Sequence, residues 1–211
     1  MAAEWGPLYA IVDAGLAARH DWTVPDLAAA CLDGGARLLQ LRAPGVPSDV
    51  LEGWCDAVVA RGSGYGATVV VNDRVDVARL CGAAGVHLGQ DDLPVECARR
   101  IVGKHAVVGL STHTSEQLGA ALAKPVTYVA VGPVYPTGTK DTGYRPVGTS
   151  FVREAVARAA ATPVVAIGGI TLERAPAVLA AGAAAVAVIG DLLAGGAPAA
   201  RVRAYVDGLA K

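Results

Sequence analysis

Eight short runs rich in β-branched residues recur along this 211-residue chain, at Leu8–Val12, Leu38–Leu41, Thr68–Val71, Gly85–Leu88, Ala106–Leu110, Tyr128–Val131, Val164–Ile167 and Ala185–Ile189. Each is nearly continuous in apolar character instead of alternating, the pattern of parallel strands covered on both faces. A segment of helical spacing follows each run, so the repeating unit is a strand and then a helix. Thr23-Val24-Pro25 opens one helix and Thr171-Leu172-Glu173 another, while Gly34-Gly35-Ala36 and Gly182-Ala183 close helices before the next strand. Eight units average about 26 residues each, close to the minimum for a βαβ crossover. With no composition shift to mark a linker, the expectation is an α/β fold, a single-domain (β/α)8 TIM barrel over residues 1–211. The alternative left open by periodicity is a doubly wound open sheet.

Charge narrows the ligand. Lys plus Arg (18) and Asp plus Glu (19) nearly cancel, for a net charge of -1, so no global field draws in nucleic acid or an anionic membrane. An anionic ligand must be held by a local site. Cys31, Cys55, Cys81 and Cys97 show neither CxxC nor CxxH spacing, which argues against a zinc site and a disulfide framework and for small thiols in a reducing cytoplasm. No secretory signal pattern is read at the start. The longest uncharged run, Ala175–Gly190, is shorter than the roughly 20 residues a membrane span needs.

One connection is long. From Gly132 to about Gly148 the chain reads GPVYPTGTKDTGYRPVG, and long loops in compact domains are usually functional or disordered. Following the sixth strand, it lies on the C-terminal face of a barrel, where active sites sit, and is expected to be an active-site lid. Polar residues gather at the same strand ends: Gln40, Arg42, Asn72, Asp73, His87, Gln90, Asp91, Asp92, Ser111 and His113. Asp73 and Asp92 end adjacent strand units, so two carboxylates converge on one hard cation; so few oxygen ligands suit Mg²⁺, which fills its octahedron with water and phosphate. Each aspartate also fits a plainer role, Asp73 pairing with Arg74 or capping the next helix, and Asp92 capping the helix beginning at Pro94. Arg42, Lys140, Ser111, Thr137 and Thr139 form a set suited to a polyanion, and Gly168-Gly169 and Ile189-Gly190 offer backbone N–H groups for a phosphate. A Gly-Gly pair also serves as a simple tight turn. His87, inside an apolar strand, is read as a hydrogen-bonded core histidine, His113 as a residue of the mouth, and His20 and His105 as surface residues. No nucleophile–base pair is legible, which points away from hydrolysis and toward metal and placed charge.

The strings QLR (40–42), VNDRVDVA (71–78), GVHLGQDDLP (85–94), GLSTHT (109–114), VGPVYPTGTKDTG (131–143) and PVVAIGGIT (163–171) together resemble the thiamine phosphate synthase family, in order and over the length of the chain. The resemblance implies a TIM barrel. It also implies a Mg²⁺-dependent transferase that joins the diphosphate of 4-amino-5-hydroxymethyl-2-methylpyrimidine to a thiazole phosphate and releases pyrophosphate. Carried over, Asp73 and Asp92 ligate the metal. Gln40, Arg42, Asn72, Ser111 and Lys140 contact the pyrimidine diphosphate, with Arg42, Ser111 and Lys140 catalytic. Thr137, Thr139, Gly169, Ile189 and Gly190 take the thiazole phosphate. The implied partners are these small molecules alone, in the cytoplasm, with homo-oligomerisation left open. Two positions depart from the family pattern: Pro44 stands where a diphosphate-binding lysine is usual, and Gly190 where a serine is common. Rival expectations are a thiazole tautomerase-like relative, a catalytically silent barrel that binds thiamine precursors, and a phosphate-binding sugar isomerase on the same fold.

Overall fold

The computed structural model describes residues 5–138 and 143–210. Eight strands close into a barrel in sequence order, every neighbouring pair parallel. They are β1 (Leu8–Asp13), β2 (Leu38–Arg42), β3 (Thr68–Asn72), β4 (Gly85–Leu88), β5 (Val107–Thr112), β6 (Tyr128–Val131), β7 (Val164–Ile167) and β8 (Ala185–Val188). Between them run α1 (Ala14–Arg19), α2 (Val24–Asp33), α3 (Ser48–Gly64), α4 (Val75–Leu80), α5 (Val95–Val102), α6 (Ser115–Leu122), α7 (Gly148–Ala159) and α8 (Ala175–Ala180). A 3-10 turn (Gly190–Gly196) and α9 (Pro198–Leu209) finish the chain. The open-sheet alternative is excluded by the β1–β8 pairing, Leu8 against Val186 through Ala10 against Val188.

Several boundaries differ from the sequence expectation. β1, β2, β3 and β5 run on to Asp13, Arg42, Asn72 and Thr112, because the parallel ladder continues through polar residues: Asp13 pairs with Arg42, and Asn72 with His87. β5 starts at Val107 and β8 stops at Val188. The segment Thr171–Arg174 is a turn, and its helix begins only at Ala175, whose N–H donates to the Thr171 carbonyl. By contrast, Thr23 caps α2 as read, its hydroxyl accepting from the Asp26 N–H at 3.2 Å.

Two apolar regions hold the barrel. The outer one packs Leu8, Ala10, Val12, Leu39, Leu41, Val69 and Val71 against helix residues such as Leu27, Cys31, Val58 and Val202. The inner one fills the lumen with Trp5, Tyr9, Ile11, Leu38, Val70, Val107, Tyr128, Val165 and Ala187. Strand side chains alternate in direction with period two, so Gln40, Asn72 and Ser111, even steps from the lumen residues of their strands, face the same interior toward its C-terminal end, and His87 joins them through its bond to Tyr128. Gly109 belongs to this layer because Tyr128 needs the room: a Cβ there would lie 2.1 Å from the Tyr128 ring. Burial raises the Cys31 thiol to about 12, and all four cysteines are free. No described helix is long and apolar enough to cross a membrane.

Candidate functional site

A chain of hydrogen bonds crosses the upper lumen from β2 to β5. Gln40 Nε2 donates to the Tyr9 hydroxyl at 2.8 Å, and that hydroxyl meets the Tyr128 hydroxyl at 3.0 Å. Tyr128 lies 2.7 Å from His87 Nδ1, and His87 Nε2 lies 2.8 Å from Ser111 Oγ. Burial pushes both phenols well above the usual tyrosine range, so each keeps its proton. Gln40 fixes only the first direction: with it donating to Tyr9, the rest of the chain has two consistent senses, running toward His87 Nδ1 or away from it. In the sense that runs toward Nδ1, a neutral His87 carries its hydrogen on Nε2 and donates to Ser111, which leaves the serine hydroxyl hydrogen available to a ligand. Gln40 and His87 are 2% and 8% exposed, which keeps water from competing for these bonds. His87 is thus the hydrogen-bonded interior residue expected, but its partner is a site residue.

On the β1–β3 side of the mouth, Arg42 forms an ion pair with Asp13. The other Asp13 oxygen accepts from the Leu16 N–H at 2.8 Å, capping α1, so the carboxylate is fixed on one side by a helix and holds the guanidinium on the other. Asn72 ends β3, and Asp73 follows at φ 62° with its N–H donating to the His87 carbonyl at 2.8 Å. The plainer role read for Asp92, capping the helix at Pro94, is not what the structure displays. Arg74 turns to Asp76, and Arg74 itself occupies the cap position of α4 without a side-chain cap. Helix α5 begins at Val95, one residue past Pro94, and also lacks a side-chain cap. Asp92 instead accepts from the Gly89 N–H at 2.6 Å and shapes the loop after β4. Asp92 lies four positions beyond the end of β4, on that loop. No group of three His, Cys, Asp or Glu residues that could hold a metal occurs among the described residues. Two hard carboxylates after neighbouring strands are a donor set that suits an ion completing its shell with water and phosphate oxygens, as Mg²⁺ does, and not zinc.

The β5–β8 side is a cleft of about 440 Å³. Its wall brings together Ser111, Thr137, Gly169, Ile189 and Gly190 from the residues expected at the site, with His113 as well. The sequence-predicted Thr139 and Lys140 lie outside the described residues. Backbone bonds pin the base of the 132–148 connection: Val134 N–H to the Ile167 carbonyl at 2.9 Å, Tyr135 N–H to Gly168 at 3.0 Å and Val147 N–H to Pro133 at 2.8 Å. Gly169, at φ 61°, passes so close to this segment that a Cβ would sit 2.4 Å from the Pro136 carbonyl oxygen; only glycine fits. His113 Nδ1 bonds the Gly132 carbonyl at 2.6 Å, and the ring stacks on Tyr144 with centroids 4.2 Å apart. Asp191, which beside Gly190 threatens to repel an anion, is neutralised. Arg201 Nη2 and Nε reach it at 2.8 and 3.0 Å, the Tyr205 hydroxyl donates at 2.6 Å, and the Leu172 N–H at 3.2 Å. His20 and His105 are exposed, as expected.

Sequence reasoning missed Tyr9, Tyr128, Asp13 and Arg174. The first two are hidden because aromatic residues in an apolar strand read as core; only their even spacing along the lumen face marks them. Asp13 carried a signal, an acid ending a strand directly before a helix.

Comparison with known proteins agrees with this geometry. The TMP-TENI family model, thiamine monophosphate synthase, matches residues 8–192. A thiamine-phosphate synthase of Roseiflexus castenholzii is 39% identical over 202 residues, covering 96% of this chain and 87% of its own. The bifunctional thiamine biosynthesis protein ThiM/ThiE of Symbiobacterium thermophilum is 45% identical over 185 residues, 88% of this chain; the match spans only 38% of that longer protein. Among solved structures, thiamine phosphate pyrophosphorylase from Pyrococcus furiosus superposes with a TM-score of 0.87 at 29% identity, covering 99% of this chain and 98% of its own. On a matching family model, a synthase relative alike over most of its length and a shared barrel, this chain belongs to the thiamine monophosphate synthase family.

Proposed function

We propose that the chain is a transferase with thiamine-phosphate synthase activity, coupling the hydroxymethylpyrimidine diphosphate to the thiazole phosphate. The observation that carries the reading is the position of Ser111. It ends the hydrogen-bond chain that begins at Gln40, and it also lines the cleft shared with Gly169 and Gly190, so one hydroxyl stands between two half-sites. In this assignment Gln40, Asn72, Arg42, Ser111 and Lys140 serve the diphosphate half, and Thr137, Thr139, Gly169, Ile189 and Gly190 the thiazole phosphate. Asp73 and Asp92 hold Mg²⁺, which when bound supplies positive charge to the diphosphate oxygens.

Arg42, oriented by Asp13, and Lys140 offset charge that builds on the departing pyrophosphate, and Ser111 donates its hydroxyl hydrogen to the same group. The C–O bond of the pyrimidine methylene breaks, and the thiazole nitrogen forms the new C–N bond with a lone pair that carries no proton. No general base is therefore required at the thiazole nitrogen, and the Ser111–His87 contact serves to orient the serine hydroxyl. The 132–148 connection is assigned as the cover of this site, supported by Thr137 and Gly138 in the cleft wall. A reducing cytoplasm is assigned as its location, supported by four free cysteines; a sizing column decides whether copies associate.

The test supplies both phosphorylated halves and Mg²⁺ to the purified protein. Release of pyrophosphate with formation of thiamine phosphate is expected. Conversion of a thiazole tautomer without coupling would instead make the protein tautomerase-like, and calorimetric binding of both halves without turnover at any Mg²⁺ concentration would make it a silent barrel. Pro44, exposed in the loop after β2, supplies no cation to this half of the site.

A further inference from the structure

Arg174 has no place in the assignment above, yet it lines the same cleft. Its Nη1 donates to the Gly169 carbonyl at 2.7 Å, and its guanidinium carbon lies 4.7 Å from the centre of the Tyr135 ring. Carbonyl and ring together hold an otherwise exposed side chain over the Gly168-Gly169 turn, so much of its ordering cost is met before any ligand arrives. The turn and Gly190 present backbone N–H groups but no charge. Among the described residues lining the cleft, Arg174 is the one arginine or lysine and Asp191 the one acid, and Asp191 is engaged by Arg201, Tyr205 and the Leu172 N–H. No described carboxylate forms an ion pair with Arg174. The cleft therefore presents a net positive wall with a planar donor fork, of which one arm is tied to Gly169.

We propose that Arg174 is the charged anchor for a phosphate monoester in this cleft, the phosphate of the thiazole substrate, and so the residue that selects the phosphorylated thiazole over its alcohol. This inference rests on the function proposed above and deepens it. A planar guanidinium pairs with two phosphate oxygens at once, and backbone N–H groups from Gly169 and Gly190 complete the cradle.

The test compares the wild type with Arg174→Ala and Arg174→Lys, after circular dichroism and thermal melting show that all three fold alike. Calorimetry measures binding of the thiazole phosphate and of the dephosphorylated thiazole alcohol, and steady-state assays give KM for each substrate. Expected is roughly a tenfold or greater loss of affinity for the thiazole phosphate in Arg174→Ala, the size of a lost charged hydrogen bond. Affinity for the alcohol and KM for the pyrimidine diphosphate should be unchanged, with partial recovery in Arg174→Lys. Equal thiazole phosphate affinity in wild type and Arg174→Ala, or an equal loss for phosphate and alcohol, would overturn the inference. The two levels separate cleanly. Coupling by the wild type with an indifferent Arg174→Ala removes this inference alone, whereas Arg174-dependent phosphate binding without coupling removes the synthase reading and leaves the anchor standing.

Discussion

Asp92 carries two duties that one substitution can separate. Its carboxylate accepts the Gly89 N–H and also supplies one of the two negative charges assigned to Mg²⁺. Asp92→Asn keeps an acceptor oxygen for Gly89 and removes the charge, while Asp92→Ala removes both. Both variants should lose coupling at ordinary Mg²⁺ concentrations and keep the barrel, read by pyrophosphate release and circular dichroism; Asp92→Asn should recover partly at high Mg²⁺, and Asp92→Ala less. His87 invites a direct look at a proton. If the chain from Gln40 through Tyr9 and Tyr128 runs toward Nδ1, the sense that leaves Ser111 to donate to a ligand, nitrogen NMR of the neutral ring should find hydrogen on Nε2. Hydrogen on Nδ1 would reverse the chain beyond Tyr9 and make Ser111 the donor to His87 instead of to a ligand.

At the level of elements, the placement of β5 against β6 depends on a glycine. Gly109→Ala drives a methyl into the Tyr128 ring, and overpacking of this kind costs about 1–3 kcal/mol. Urea unfolding should show that loss, together with weakened coupling as Tyr128 shifts from His87. The 3-10 turn after β8 is fastened to α9 through Asp191, Arg201 and Tyr205. Arg201→Ala leaves a carboxylate, 13% exposed in its side chain, facing the cleft without its cation. Discounted for that partial exposure, the loss should be about 2 kcal/mol, and it should be accompanied by weaker binding of any phosphate ligand because an uncompensated acid now lies beside Gly190. Elements of this sort were partly visible beforehand. The apolar runs locate all eight strands but stop short of Arg42, Asn72 and Ser111, because a polar residue reads as the end of a strand. In a barrel the ladder continues through polar residues that point into the lumen.

The barrel as a whole protects its phenols. Tyr9, Tyr128 and Tyr205, half of the six tyrosines, are held above their usual range chiefly by burial. A pKa raised in the folded state stabilises below the unfolded value near 10 and is lost as pH rises toward the folded one. Stability should therefore fall above about pH 10, and phenolate absorbance of these three should appear together with unfolding; their titration in a still-folded barrel would contradict the burial. What the sequence determined alone was the repeat. Runs that are apolar on both faces have to be covered on both, and eight of them with helices between leave a barrel as the natural closure. The same linear pattern puts Ser111 and the Gly168-Gly169 turn at strand ends, and both line one cleft. Tertiary structure alone decided which groups meet across the lumen: Tyr9 and Tyr128 are 119 positions apart yet share a hydrogen bond, and Arg174 reaches the cleft only because Gly169 and Tyr135 hold it there. The reason is one of range. Periodicity reports the face on which a side chain lies, whereas a hydrogen bond or ion pair requires two side chains to come within about 3 Å, a distance fixed only once the strands have closed.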